Sequence, residues 1–430
     1  MAAFLGAHHS PVMRVFLHTF GCKANQYDTE LLREALEAAG ATIVDQAPAA
    51  DAAVINTCTV THVSEGKMRG FVRRVARQNP GIRTVVIGCA AALDPGTLTR
   101  LPNVVGVVGG VAPADVLATL GLQSGHEPDG LRTFGRGSRA WVKIQDGCDE
   151  HCTFCATTLA RGDRRSRPPE AIVAEVRRLA ARHREIVLTG IHVGSYGRDL
   201  AEGMGLGALV ARLIDTVSSV RFRLSSVEAT EVDDTLVDLM RTVPERLAPH
   251  LHAPLQSGSD RVLRRMGRHW YTARSYRERI ERIAAGLPAF GLGADVMVGF
   301  PGETAADFAE TRRVLEDLPF TYLHVFPYSE RPDTPARQLG APVAPPVAAA
   351  RSAELRALGE SKGHAYRMGR AGRPADVVML GRSHGRSEGL TEDYLTVSWS
   401  TGVPSATRFR AQLALESDGR LEATPVEDAA

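Results

Sequence analysis

Three cysteines in the first part of this 430-residue chain each follow a short apolar run that is typical of a β-strand. The runs are VMRVFLHTF before Cys22, AAVINT before Cys58 and TVVIG before Cys89, and helical patterns separate them. Such an alternation predicts a parallel sheet, in which the carboxyl ends of the strands lie at one edge. We therefore expect the three cysteines to converge at one edge of an N-terminal α/β sheet.

A second, longer series of strand-like and helical segments follows a stretch rich in glycine and polar residues. Its strand-like runs are WVKIQ, EIVLTG, RFRLSSVE, HLHAPLQ, LGADVMVGF and TYLHVFPYS. Six strands with intervening helices predict a partial or complete barrel, with its chemistry at the strand ends. From about His364 the runs ADVVML, YLTVSW and ATRFRAQLALE predict a small β-barrel or sandwich.

These patterns divide the chain into three predicted domains and one linker. We predict a sheet domain over residues 12–122, a linker over 123–139, a central barrel over 140–363 and a small β domain over 364–430. The predicted fold class is α/β, with an N-terminal parallel sheet, a central (β/α) partial barrel and a small C-terminal β-barrel.

The composition limits the classes of function. The apolar fraction of 44% and the charged fraction of 23% are ordinary for a globular protein. A net charge of +2 makes no general case for nucleic acid, so any basic surface must be local. We expect neither a signal peptide nor a membrane helix. We also expect a cytoplasmic location, in which the cysteines stay reduced.

The other three cysteines, Cys148, Cys152 and Cys155, lie close together in the run GCDEHCTFC. Three thiolates at this spacing can hold a four-iron cluster and leave its fourth iron open to a substrate. A zinc site is one alternative, but zinc prefers a fourth ligand and His151 is poorly spaced to supply it. The other alternative is that these are buried cysteines with a structural role. The same alternative exists for the three strand-end cysteines.

Nine runs between about Val12 and Ala336 resemble, in the same order, the radical S-adenosylmethionine (SAM) methylthiotransferases. They are HTFGCKANQYDTE, VINTCTVT, KIQDGCDEHCTFC, RGDRRSR, LTGIHVGSYG, RLSSVE, HAPLQSGSD, VMVGFPGET and HVFPYSERPDTPA. These enzymes insert sulfur into a C–H bond and methylate it. The resemblance implies a methylthiotransferase domain, a radical SAM barrel and a C-terminal RNA-binding β domain called TRAM.

The resemblance also implies the cofactors and the catalytic roles of the cysteines. It implies two [4Fe–4S] clusters, with SAM as both the radical source and the methyl donor. The SAM-binding cluster would be held by Cys148, Cys152 and Cys155, and the auxiliary, sulfur-delivering cluster by Cys22, Cys58 and Cys89. The expected partners are tRNA, an external electron donor of the flavodoxin or ferredoxin kind, and a sulfur donor.

Within the family, the substrate is indicated by two runs. GCKANQYDTE, with Lys23, Asn25 and Gln26, and RRMGRHWYTARSY resemble the branch that modifies carbon C2 of N6-threonylcarbamoyladenosine at tRNA position 37. N6-isopentenyladenosine in tRNA and a ribosomal-protein aspartate are the alternative substrates. A non-catalytic iron–sulfur carrier or RNA-binding protein is the alternative of another class.

Four further residues match positions at which the family binds SAM. The resemblance places Phe154 near the adenine, Gly190 at the methionyl amino group, and Glu228 and Gln256 at other polar contacts. A tight turn is the structural alternative for Gly190, and a solvated carboxylate is the alternative for Glu228.

Two basic stretches are candidates for contact with RNA, because arginine can pair with phosphate. The candidates are Arg161, Arg164, Arg165, Arg167, Arg265 and Arg268. The alternative is that these arginines form solvated faces.

Overall fold

The computed structural model describes residues 12–59, 62–123, 129–135, 137–201, 203–383, 385–400 and 406–426, with the backbone alone at 62 and 63. The chain forms two compact units. The first runs to Leu131 and includes Leu159–Arg161, and the second contains Arg132–Thr158 and the chain from Gly162 onward. The predicted division into three domains stays a prediction, and residues 124–128 and 136 of the predicted linker lie outside the described residues.

The first unit is built on a five-stranded sheet in the order β2-β1-β3-β4-β5. Its strands are β1 (Arg14–Thr19), β2 (Thr42–Val44), β3 (Ala52–Thr57), β4 (Arg83–Gly88) and β5 (Val104–Gly109). Its helices are α1 (Lys23–Ala38), α2 (His62–Gln78), α3 (Cys89–Leu93), α4 (Pro95–Leu98) and α5 (Pro113–Leu120). All four strand pairs are parallel, so the predicted parallel sheet is confirmed. Every residue of β3 is buried, as expected of a strand covered on both faces.

The second unit begins with six parallel strands in two sheets, ordered β10-β9-β6 and β11-β12-β13. The strands of this part of the second unit, with β7 and β8 lying outside the two parallel sheets, are β6 (Arg139–Lys143), β7 (Gln145–Asp146), β8 (Arg165–Ser166), β9 (Glu185–Thr189), β10 (Arg221–Leu224), β11 (His250–His252), β12 (Gly291–Val298) and β13 (Tyr322–Pro327). Bridges Phe222↔Leu247 and Ser226↔His252 connect the segments of β10 and β11. The predicted partial barrel is therefore confirmed, with β7 and β8 as a separate antiparallel pair.

Helices alternate with the barrel strands. They are α6 (Thr157–Arg161), α7 (Pro169–Ala180), α8 (Leu206–Thr216), α9 (Asp234–Thr242), α10 (Asp260–Arg265), α11 (Ala273–Ala284), α12 (Ala305–Asp317) and α13 (Pro345–Arg370). Their apolar faces are buried, as in α7, where Ile172, Val176 and Leu179 are almost fully inaccessible. Proline at the first turn of α7 and of α13 suits the helix start, where a backbone N–H has no partner.

The C-terminal part of the second unit is a closed five-stranded barrel in the order β14-β15-β16-β18-β17. Its strands are β14 (Pro374–Ser383), β15 (Arg386–Leu390), β16 (Thr396–Trp399), β17 (Arg408–Leu415) and β18 (Leu421–Pro425). Alternate residues such as Val377, Trp399 and Leu413 fill its core. The predicted small β-barrel is confirmed.

Buried arginines connect this small barrel with the parallel strands of the same unit. Arg221 donates to the carbonyl of Asp376 at 2.7 Å, and Arg223 donates to the carbonyl of Glu392 at 2.9 Å. Both guanidinium groups also contact the buried carboxylate of Glu185. The two parts of the unit thus share a polar core. Among the described residues, no helix combines the length and the apolar character needed to cross a membrane.

Candidate functional site

The three dispersed cysteines lie together at the carboxyl edge of the first unit's sheet. Cys22 precedes α1, Cys58 directly follows β3, and Cys89 is the first residue of α3, directly after β4. Thr57 and Gly88 are register partners, so Cys58 and Cys89 leave the sheet side by side. A side chain at Gly21 would lie 2.9 Å from Cβ of Cys58, so glycine there lets the chain before Cys22 pass close to Cys58.

Two asparagines hold this edge in place. Asn25 donates from Nδ2 to Oδ1 of Asn56 at 2.9 Å and to the carbonyl of Thr57 at 2.9 Å. Asn56 donates in return to the carbonyl of Asn25 at 2.9 Å. Oδ1 of Asn25 also accepts from the Cys22 thiol at 3.3 Å. The first turn of α1 is thereby fastened to the end of β3, which positions two of the three thiols.

Arg161 lies beside these thiols, within the first unit. Its Nε is 3.3 Å from Sγ of Cys89, and its Nη2 is 3.0 Å from both Oδ2 of Asp28 and Oδ1 of Asn25. Burial raises the pKa of the Cys89 thiol, although the Arg161 guanidinium opposes that shift. Only 8% of the Arg161 side chain is exposed, and its guanidinium is placed where it can stabilise a thiolate charge.

The three compact cysteines lie on a tight loop of the second unit. Gly147 has φ +68°, and a Cβ there would lie 1.9 Å from the carbonyl oxygen of Asp163, so the turn requires glycine. The N–H of Cys148 donates to Gly162 at 3.0 Å, and the N–H of Cys155 donates to the carbonyl of Cys152 at 3.0 Å. All three thiols are partly exposed. The loop therefore presents three free thiols, none of them in a disulfide.

A buried ion pair stands next to this loop. Arg268 contacts Glu228 through Nη2, lies 3.6 Å from Sγ of Cys152 through Nη1, and packs its guanidinium over the ring of Trp270. Burial raises the pKa of the Cys152 thiol to about 12, against the opposing charge of Arg268. Burial likewise raises the pKa of Glu228, which Arg268 partly offsets. A thiol in such a setting becomes a thiolate through metal binding, since a coordinating thiol is deprotonated.

His192 also contacts the loop, and the sequence reasoning missed it. Its Nδ1 lies 3.7 Å from Sγ of Cys148, and its Nε2 lies 2.8 Å from Oε2 of Glu231. Burial alone would lower the pKa of His192, but its hydrogen bonds to Cys148 and Glu231 raise it to about 10. Its position just after β9, in the run LTGIH, was the available signal, because functional side chains follow barrel strands.

Comparison with known proteins decides the family. The model of the family described as "Uncharacterized protein family UPF0004" matches residues 14–110. The model of the "Radical SAM superfamily" matches residues 142–315. Threonylcarbamoyladenosine tRNA methylthiotransferase MtaB of Bacillus subtilis is 38% identical over 343 residues, covering 76% of this chain and 75% of the relative. MtaB of Thermotoga maritima is 36% identical over 339 residues, covering 76% of this chain and 77% of the relative. The chain belongs to the radical SAM methylthiotransferase family.

Two further comparisons agree with this assignment. The tRNA-2-methylthio-N(6)-dimethylallyladenosine synthase of Acidithiobacillus ferrooxidans is 31% identical and covers 95% of this chain and 100% of the relative. The radical SAM methyltransferase TsrM from Kitasatospora setae, with cobalamin and a [4Fe–4S] cluster bound, shares the fold at a TM-score of 0.57. It is 15% identical and covers 78% of this chain and 80% of that chain. As a member of the radical SAM methylthiotransferase family, the chain uses SAM and [4Fe–4S] clusters.

Gln256 of this methylthiotransferase has a buried polar atom that a ligand could satisfy. Gln256 has φ +59° and is 92% buried, yet its Oε1 has no hydrogen-bond partner in the part of the chain that is described. A buried amide oxygen without a partner is costly, and a donor group on a ligand would satisfy it. Phe154 belongs to the cysteine loop. Its ring packs edge-on against that of Phe300, with 6.5 Å between the ring centroids.

Gly190 has a packing role that is visible in the structure. A Cβ at this position would lie 2.7 Å from the carbonyl oxygen of Gln145 and 3.2 Å from Val193. Oε1 of Gln145 accepts from the N–H of Ile191 and of His192, so the turn after β9 is tied to the start of β7. A contact of Gly190 with SAM stays a prediction, as do those of Glu228, Gln256 and Phe154.

Most of the other candidate arginines of the methylthiotransferase form ion pairs or hydrogen bonds within the protein. Arg164 pairs with Asp149 at 2.9 Å, and Arg167 pairs with Glu175 at 2.6 Å. Arg265 donates to the carbonyls of Pro301 and Leu339. Arg165 is the exposed member of the six, although Nη1 donates to the carbonyl of Asp163. RNA contact by these residues stays a prediction, and the geometry favours Arg165.

Proposed function

We propose that this methylthiotransferase replaces the C2 hydrogen of N6-threonylcarbamoyladenosine at position 37 of tRNA by a methylthio group. The observation that carries the proposal is the degree of likeness to relatives of that name. Four such relatives are 35–38% identical over 339–344 residues. Four relatives named for the dimethylallyladenosine product are 31–34% identical over 395–453 residues.

We propose that each set of cysteines holds one cluster. Cys148, Cys152 and Cys155 would hold the cluster that binds SAM, with Arg268 and His192 balancing its charge. Cys22, Cys58 and Cys89 would hold the auxiliary cluster, beside Arg161. When bound, SAM and the first cluster supply the radical and methyl chemistry, and the auxiliary cluster supplies the sulfur.

We further propose roles for the ligand and RNA contacts. Gln256 would orient SAM by accepting a hydrogen bond at its Oε1, and Phe154 would flank the adenine. Glu228, already paired with Arg268, would add a polar contact, and Gly190 would allow close approach of the backbone. Arg165 would contact phosphate. An external electron donor, a sulfur donor and a cytoplasmic location complete the proposal.

The substrate is tested by mass spectrometry of tRNA nucleosides from cells that lack the gene. We expect the methylthio derivative of N6-threonylcarbamoyladenosine to disappear, its precursor to accumulate, and the derivative of isopentenyladenosine to stay constant. Loss of the isopentenyl derivative instead would assign the alternative tRNA substrate. Unchanged tRNA with a loss of methylthio-aspartate in ribosomal protein would assign the protein substrate.

The division of labour between the cysteines is tested with purified, reconstituted protein. Replacing Cys22, Cys58 and Cys89 together by alanine should lower the iron content to about half, because one of two clusters is lost. SAM cleavage should persist while methylthiolation is abolished. Replacing Cys148, Cys152 and Cys155 should abolish both reactions. Loss of SAM cleavage in the first variant, with the second cluster intact, would contradict the division.

A further inference from the structure

Two imidazoles and a carboxylate meet on three adjacent strands of the second unit, and none of the six cysteines belongs to this group. Nε2 of His252 lies 3.2 Å from Oδ1 of Asp295, and Nδ1 of His324 lies 3.3 Å from the same oxygen. Asp295 and His324 are register partners on β12 and β13, and His252 ends β11. The three potential ligand atoms all lie within 4.8 Å of one another. Neighbouring strands thus hold the group together by backbone pairing.

The tyrosine beside this group fixes the direction in which His252 presents its nitrogen. The hydroxyl of Tyr322 lies 2.9 Å from Nε2 of His250 and 3.1 Å from Nδ1 of His252. If Nδ1–H of His252 donates to this hydroxyl, and the hydroxyl donates to His250, then Nε2 of a neutral His252 carries a lone pair. In that tautomer the lone pair faces the Asp295 carboxylate, and a cation between the two would satisfy both.

The charge state of Asp295 suits a cation. Arg223 and Asp393 belong to the surrounding polar core, and each is already paired, with Glu185 and Arg370 respectively. An aspartate carboxylate is anionic at neutral pH, and among the described residues no lysine or arginine is paired with Asp295.

We propose that His252, Asp295 and His324 bind one divalent transition-metal ion, of which Zn²⁺ is the reference. Ligand atoms at about 2.0–2.2 Å from a metal lie about 3.0–3.5 Å from each other, which the two measured separations match. Two imidazoles with one carboxylate are a donor set that zinc and ferrous iron accept. Tyr322 is the residue that orients the His252 ring.

The site is open on one side. The side chain of His252 is 9% exposed and that of Asp295 29%, whereas that of His324 is 61% exposed. Three protein ligands leave at least one position of a tetrahedral ion vacant, and the exposed side gives that position access to water or to an oxygen of a substrate. This site does not depend on the proposed substrate.

The experiment measures zinc and iron in the same reconstituted protein, so that the cysteines are occupied by clusters. After anaerobic dialysis against buffered Zn²⁺, we expect about one zinc per chain with no loss of iron. Zinc X-ray absorption should show nitrogen and oxygen at about 2.0–2.2 Å and no sulfur at about 2.3 Å. Sulfur neighbours, or zinc that displaces iron, would place the ion on cysteines and overturn the proposal.

Variants separate ligation from general disturbance. Asp295→Asn and His324→Ala should weaken zinc binding more than about 100-fold, and Tyr322→Phe, which preserves the ring, about 10–100-fold. His364→Ala, on the exposed face of α13, is the matched control and should bind zinc as the parent does. Parental zinc binding in Asp295→Asn, or its absence in the parent protein, would overturn the proposal. Iron content and SAM cleavage in the parent report separately on the proposed function.

Discussion

At the scale of single residues, the carboxylate of Glu185 is a buried charge that needs compensating partners. It is fully buried and lies 2.7 Å from Arg221, 2.9 Å from Arg223 and 2.7 Å from Arg139. Glu185→Gln keeps the shape but removes the anion shared by the buried guanidinium groups of Arg221 and Arg223, of which Arg221 retains Asp376 at 3.3 Å. We expect the free energy of unfolding to fall by about 3–5 kcal/mol. Denaturant titration, followed by a spectroscopic signal of the second unit, measures this loss.

The control for this change is an exposed glutamate that also pairs with arginine. Glu170 lies 2.9 Å from Arg212, with 65% of its side chain exposed. Because solvent screens such a pair, Glu170→Gln should change stability by less than about 0.5 kcal/mol. Equal losses in the two variants would contradict the assigned role of Glu185.

The same carboxylate predicts a pH dependence. Burial opposes its ionisation, but Arg223, Arg221 and Arg139 hold the pKa of Glu185 well below the usual range. A lowered folded pKa means that this stabilisation is complete above the unfolded pKa and is lost as pH falls through the folded value. The stability difference between parent and Glu185→Gln should therefore be constant near neutral pH and shrink below about pH 4. Denaturant midpoints from pH 7 to pH 3 measure it, and a difference that grows on acidification would contradict it.

Residue by residue, the sequence indicated the candidate cysteine ligands but not the side chains that surround them. The spacing of Cys148, Cys152 and Cys155 is local, so it is visible in the sequence. His192 lies 44 residues from its partner Cys148, and Arg268 lies 116 residues from its partner Cys152, so only folding brings them together. For the same reason, a run of arginines resembled an RNA surface, although most of its members are paired within the chain.

At the scale of elements, the turn after β4 positions Cys89, one of the three cysteines proposed to hold the auxiliary cluster. Gly88 has φ +92°, and a Cβ there would lie 2.3 Å from Oδ1 of Asn56 and 2.6 Å from the carbonyl of Thr57. Gly88→Ala should push Cys58 and Cys89 apart. We expect reconstituted protein to lose up to about half of its iron while SAM cleavage continues. Iron analysis and a cleavage assay measure the two effects.

Gly70, on the exposed side of α2, provides the comparison for this turn. Nothing lies within 4 Å of a Cβ built there, so Gly70→Ala should keep its iron and gain about 0.5–1 kcal/mol of helix stability. Full iron content in Gly88→Ala would show that the turn tolerates a side chain and that the thiols are not held by it.

Elements with a strong pattern were predicted and weakly patterned ones were missed. The buried run AAVINT is continuous and apolar, and β3 occupies it. β2 has only three residues at the edge of the sheet, and its position follows from pairing with β1 rather than from its own composition. β15 and β18 were also missed, because RSEGL and LEATP are largely polar and become strands by closing the small barrel.

At the scale of the whole molecule, the two sets of cysteines belong to two separately compact units. A group that binds only the native form of one unit stabilises that unit and leaves the other unchanged. We expect two calorimetric transitions in the reconstituted protein. Replacing Cys22, Cys58 and Cys89 by alanine should lower one of them by at least about 5 °C, and replacing Cys148, Cys152 and Cys155 should lower the other.

Cluster-free protein separates ligand binding from the packing of the cysteines themselves. Without iron, parent and variants have no cluster to lose, so their transitions should agree within about 2 °C. Persistent differences in that state would mean that the substitutions act through packing. If either set of substitutions lowered both transitions equally in the reconstituted protein, the units would unfold as one cooperative whole. The assignment of one cluster to each unit would then have to rest on iron content alone.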